Sequence, residues 1–156
     1  MRMITCSALV LGLAPFVLGG VKPLATVTKF DGKFAWVKLN PIAPDSIKTL
    51  GHASAFTFNV NFTHDVKLKK DASGNAWFTF VLADQGGDWK WHQSSQSAIV
   101  KSADGLIKAG RYALSIPTKD IPKAVLADKT QTISLGPATS GLAAPISFTV
   151  DGLRGQ

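Results

Sequence analysis

Two stretches decide the fold: Ala55-Phe56-Thr57-Phe58-Asn59-Val60-Asn61-Phe62 and Ala76-Trp77-Phe78-Thr79-Phe80-Val81-Leu82-Ala83. In the first, Phe56, Phe58, Val60 and Phe62 fall on one face and Ala55, Thr57, Asn59 and Asn61 on the other. Strict period-2 alternation marks a half-buried strand. The second stretch repeats it, with Phe78, Phe80 and Leu82 together and Trp77, Thr79 and Val81 opposite. Phe56, Phe58, Val60, Phe78, Phe80 and Leu82 are therefore expected to point into one core. A slip of one residue would turn the Phe faces to water, so register is strongly specified.

Further short segments of the same kind are spaced along the chain by Gly, Pro and Asp turns. The candidates are 25–30, 34–39, 66–69, 89–93, 96–101, 112–117, 130–135 and 146–153. Many short strands with turn signals between them predict an all-β protein, an antiparallel two-sheet β-sandwich of jelly-roll type. Brief helical turns are expected at 45–50 and 120–128. Lys67, Lys69 and Lys70, beside Asp71, Ser73 and Gly74, read as a solvated hairpin turn.

The chain has 156 residues, 46% of them hydrophobic and 17% charged. That suits one packed domain and argues against disorder. Its net charge of +7 is spread along the sequence and not gathered into a phosphate-tracking patch, so no nucleic-acid partner is expected. Met1-Arg2-Met3 followed by the apolar run to Leu18, with small residues at Gly19 and Gly20, reads as an export signal over residues 1–19. Residues 20–156 then form the single β-sandwich domain, placed outside the cell, in a periplasm or on the cell surface. An uncleaved anchor is the alternative. The sole cysteine, Cys6, lies inside the apolar run, so the remaining domain has no disulfide or thiol chemistry.

The order of the segments resembles the galactose-binding-like jelly roll of bacterial carbohydrate-binding modules attached to polysaccharide hydrolases. Phe30-Asp31-Gly32, the polar turn and strand from Asp45 to Phe62, Gly110-Arg111-Tyr112-Ala113-Leu114-Ser115-Ile116-Pro117 and Ile146-Ser147-Phe148-Thr149-Val150-Asp151-Gly152-Leu153 carry the likeness. It covers about residues 25–154. The resemblance implies a jelly roll that binds polysaccharide. It also implies a structural calcium near the first and last strands, to which Asp31 and Asp151 would contribute. Calcium requires six to eight oxygen ligands, and two carboxylates supply only part of that set.

Trp77, Trp89 and Trp91 are the main candidates for function, with Asp84, Asp88 and Gln93 nearby and Gln85 and His92 adding polar groups. Indole faces stack on the apolar C–H faces of sugars, while amide and carboxylate side chains bond to hydroxyls. If 89–93 is extended, Trp89 and Trp91 share a face. The other reading makes them core residues. Trp36, alternating with Phe34, is expected in the core. His52, His64 and His92 lack zinc-binding spacing, and no nucleophile elbow is present. Glu is absent, so any carboxylate pair for glycoside hydrolysis would come from Asp.

The reading is a non-catalytic, monomeric domain that binds a neutral polysaccharide and has no membrane contact once the signal is removed. A structural or adhesive sandwich with a protein partner is the alternative. A small polysaccharide-degrading enzyme is the third reading.

Overall fold

A computed structural model of the chain describes residues 23–39, 54–84, 92–94, 98–120 and 134–155. Within these, the strands are β1 (Ala25–Phe30), β2 (Val37–Lys38), β3 (Ala55–Phe62), β4 (Val66–Lys67), β5 (Ala76–Asp84), β6 (His92–Gln93), β7 (Ala98–Ser102), β8 (Leu106–Ile107), β9 (Gly110–Pro117), β10 (Ser134–Thr139) and β11 (Ile146–Gly155). A 3-10 turn at Thr118–Asp120 follows β9. The expected turn at 45–50 and nearly all of 120–128 lie outside the described residues.

One sheet has the order β1-β11-β3-β9 and the other β2-β10-β5-β6, with β7 pairing β5 beside β6. Every pairing is antiparallel. With the small β4–β8 pair set aside and β6 and β7 counted as one broken strand, the orders read 1-8-3-6 and 2-7-4-5. That is the double Greek key of a jelly roll, and the all-β sandwich expected from the alternation is the observed fold.

β3 and β5 are not partners in a hairpin. They lie in opposite sheets and face one another, so the lysine cluster between them is not a simple hairpin turn. Leu68 N–H donates to Gly105 O at 2.7 Å and Lys69 N–H to Gly141 O at 3.0 Å, which ties this crossing segment to two later loops. The tight turn itself is Asp71–Asn75. Asp71 Oδ1 accepts N–H bonds from Ser73 and Asn75, both at 2.9 Å. Gly74 takes a φ of +80° there, which an L side chain rarely adopts.

The core lies between the two sheets. Phe56, Phe58, Val60, Phe78, Phe80 and Leu82 are all within 1% of complete burial, as the alternation requires. Their rings meet across the sandwich: Phe58 and Phe80 at 6.0 Å and 80°, Phe62 and Phe78 at 5.6 Å and 75°. Phe148 of β11 touches both Phe78 and Phe80 edge to face. Such edge-to-face pairs place the positive ring edge against the negative ring face, which adds to the burial term.

Two details depart from the sequence reading. β10 runs later than expected, through Gly136-Pro137, a dipeptide that reads as a turn. β2 pairs only Ser134 and Leu135, so Pro137 lies beyond that ladder, where a proline is tolerated. The segment 34–39 is extended only at Val37–Lys38.

Phe58→Ala or Phe80→Ala should each lower stability by about 3–5 kcal/mol. Thermal melting with a matched denaturant titration checks this, and a change below 1 kcal/mol would contradict the cross-sheet packing.

Candidate functional site

Alternation assigns the outward faces as firmly as the core. On the four-stranded sheet, Thr57, Asn59 and Asn61 of β3 point away from the core. Their register partners are Ser115, Ala113 and Arg111 on β9 and Arg154, Asp151 and Thr149 on β11. Apart from Ala113, these positions are polar. The five-stranded sheet is different: its outward positions are Trp77, Thr79 and Val81 on β5, Gly136 and Ala138 on β10, and Ile99 and Lys101 on β7.

Trp77 is half-buried and held on several sides. Its indole Nε1–H donates to Asp71 Oδ2 at 3.0 Å. Its backbone N–H donates to Ser140 Oγ at 3.1 Å, and its carbonyl accepts from Thr139 Oγ1 at 3.0 Å. The Asp71 turn therefore fixes the orientation of the ring. The N–H groups of Asn75, of the Trp77 indole and of Ser73 hold the Asp71 carboxyl below its usual pKa range. Asp71, Asn75, Trp77, Thr79, Ile99 and Lys101 line an open groove of about 650 Å³. The combination of an anchored indole, an apolar side chain, an amide and an ammonium suits an amphipathic ligand.

Gln93 is exposed on β6, paired with Ala83 on the same side of the sheet as Trp77. Asp84 ends β5 with its backbone paired to His92, and its side chain is not among those described. Trp89, Trp91, Asp88 and Gln85 lie outside the described residues.

Trp36 is corrected by the structure. It does not enter the core; it is half-buried on the outward face of the five-stranded sheet. A Cβ built on Gly136 would sit 2.8 Å from Trp36 Cζ3, 2.9 Å from Phe34 Cζ and 3.0 Å from a Val81 methyl. Both rings thus lie directly over the β10 backbone, and glycine is what lets them approach. Phe34 and Trp36 meet edge to face at 4.8 Å and 85°.

Asp31 and Asp151 do not come together. Phe30 pairs Ile146 and Ala25 pairs Val150, which places the two carboxylates about 20 Å apart at roughly 3.3 Å per residue. Asp31 accepts the Lys33 N–H at 3.0 Å and pairs with the Lys33 ammonium. Asp151 accepts from Arg111 and from Asn59 Nδ2, the latter at 3.1 Å. Carboxylates already turned to N–H donors and cations do not fit one calcium, and no metal site is derived from them. Among the described residues no group of three His, Cys, Asp or Glu could hold a metal ion.

No protein-family model matches the chain, and no curated protein is significantly similar to it. Among solved structures, the chain is similar to an X-ray crystal structure of a non-crystalline cellulose specific carbohydrate-binding module, CBM28, with a TM-score of 0.46 and 14% identity. The likeness covers 79% of this chain and 65% of that one, so the chain spans about two thirds of the module's length.

Because the pKa of Asp71 is lowered on folding, its hold on Trp77 is complete above the ordinary Asp value and is lost as pH falls through the folded value. Asp65 and Asp104 are lowered in the same direction by N–H donors of Ala109 and Leu106. The difference in tryptophan emission between wild type and Asp71→Asn should stay constant from pH 7 to 5. It should change only below about pH 4, near the unperturbed Asp pKa. A transition near neutrality would contradict this arrangement.

Proposed function

We propose that the chain is an exported, non-catalytic domain that binds a neutral polysaccharide on the outward face of its five-stranded sheet. One observation carries the reading. The exposed large hydrophobics among the described residues are Phe34, 53% exposed, and Ile99, 46% exposed, and both belong to this face. So do both described tryptophans, Trp36 and Trp77, while the opposite outer face is built from Thr, Asn, Ser, Asp and Arg with Ala113.

Sugar rings have an apolar C–H side and a hydroxyl rim, so their receptors combine flat aromatic surface with nearby polar groups. The groove at Trp77 offers both. Asp71 spends its oxygens on N–H donors, which suits it to holding the indole more than to moving protons. Gln93 stands on the same face, and Trp89, Trp91, Asp84 and Asp88 are the further candidates from the adjoining chain. Stacking is short-range and largely uncharged, so binding should persist in salt that would release a phosphate-bound protein.

Affinity electrophoresis in gels containing hydroxyethylcellulose, xylan, galactomannan or laminarin tests the proposal. Retardation by at least one polymer is expected, unchanged by 0.5 M salt. Trp77→Ala, Trp89→Ala and Trp91→Ala should each weaken it while leaving the melting curve near wild type. Lost stability with unchanged retardation would make these packing residues and favour the structural sandwich.

A further inference from the structure

We infer that Phe34 and Trp36, seated over Gly136, form a second sugar-stacking station on the same sheet face, so that the site takes a run of several consecutive sugars. This rests on the polysaccharide-binding reading and extends it. Gly136 is in register with Val81, and Trp77 lies four residues before Val81 on β5. The two aromatic stations are therefore separated by about 13 Å along the strand. Between them the outward floor is low, made of Thr79 and Ala138, which are paired across β5 and β10. A ligand reaching both stations must lie along this floor and be longer than one or two rings.

The rings are held firmly enough to serve. Their edge-to-face contact and the missing Cβ at Gly136 fix them against the sheet, yet Phe34 keeps half its surface in water. An ordered aromatic ring loses little freedom on binding, which favours affinity. The occupant is a glycan and not a second protein surface because the apolar stations are interrupted by polar groups. Thr79, Lys101, Asn75 and Asp71 line the same groove as Trp77 and Ile99 and are interspersed with them. The centre of a protein–protein interface is instead depleted in charge, whereas alternating aromatic and polar groups match the alternating C–H and hydroxyl surfaces of a sugar chain.

Calorimetric titration with cello-, xylo- and manno-oligosaccharides, from disaccharide to hexasaccharide, and with the parent polymers tests this. For the series that binds, wild-type affinity should climb with length. Phe34→Ala should remove that climb, weakening the hexasaccharide by roughly tenfold, near the upper end of one aromatic contact. It should weaken the disaccharide far less than the hexasaccharide and leave the melting temperature unchanged. Trp36→Ala should act alike, and Gly136→Ala, which displaces both rings, should reproduce the loss with Phe34 and Trp36 intact. Trp77→Ala should weaken every length. If Phe34→Ala and Trp36→Ala bind the hexasaccharide as wild type does while Trp77→Ala does not, the second station is wrong and the polysaccharide reading stands. If no oligosaccharide or polymer binds the wild type, both fall. Concentration-dependent sedimentation abolished by Phe34→Ala would assign the patch to self-association and overturn the inference.

Discussion

The packing of Phe58 against Phe80, and of Phe62 and Phe148 against Phe78, across the sandwich is the constraint on which the rest of the structure depends. These rings fix how the two sheets face each other and leave no freedom in the register of β3 and β5. Because side chains alternate along a strand, fixing Phe78 and Phe80 inward also fixes Trp77, Thr79 and Val81 outward. The outward face is the reverse of the core, and disorder in one would scramble the other.

The two outer faces then take different characters from the same rule. On the four-stranded sheet Asp151 draws Arg111 and Asn59 into one polar cluster, helped by the bulge at Gly152, whose φ is +65°. A Cβ there would meet Asn59 Nδ2 at 2.6 Å. On the five-stranded sheet, small residues on β10 leave room for large ones arriving from elsewhere. Gly136 supplies space to Phe34 and Trp36, and Asp71 supplies an anchor to Trp77. In both cases the aromatic ring is positioned by a residue whose own side chain is small or fully engaged.

The fold was largely legible in the sequence because its determinants are local and periodic. Phe56 to Phe62 and Trp77 to Leu82 declare their faces without reference to any partner. What was less legible depends on partners far away in sequence. Gly136-Pro137 looks like a turn, and only the early end of the β2 ladder removes the need for an N–H at Pro137 on that side. Trp36 alternates with Phe34 like a core residue, and only the bare backbone of β10 explains why both rings lie outside. Asp31 follows the last residue of β1, but antiparallel pairing of Ala25 with Val150 puts Asp151 beside the first. Trp77 was legible from alternation alone, although its anchor at Asp71 depends on the shape of the turn.

The irregularity in β1 has a consequence for how the molecule keeps company. β1 borders its sheet, and a bordering strand offers unpaired N–H and C=O groups to any other chain. Its pairing with β11 shifts register between Val27 and Phe30, and Lys29 adopts a φ of +56°. A bulge bearing a lysine twists that border out of the flat geometry a docking strand requires. An all-β molecule crowded onto a surface risks zipping to its neighbours, and this departure from ideal strand geometry opposes that along β1.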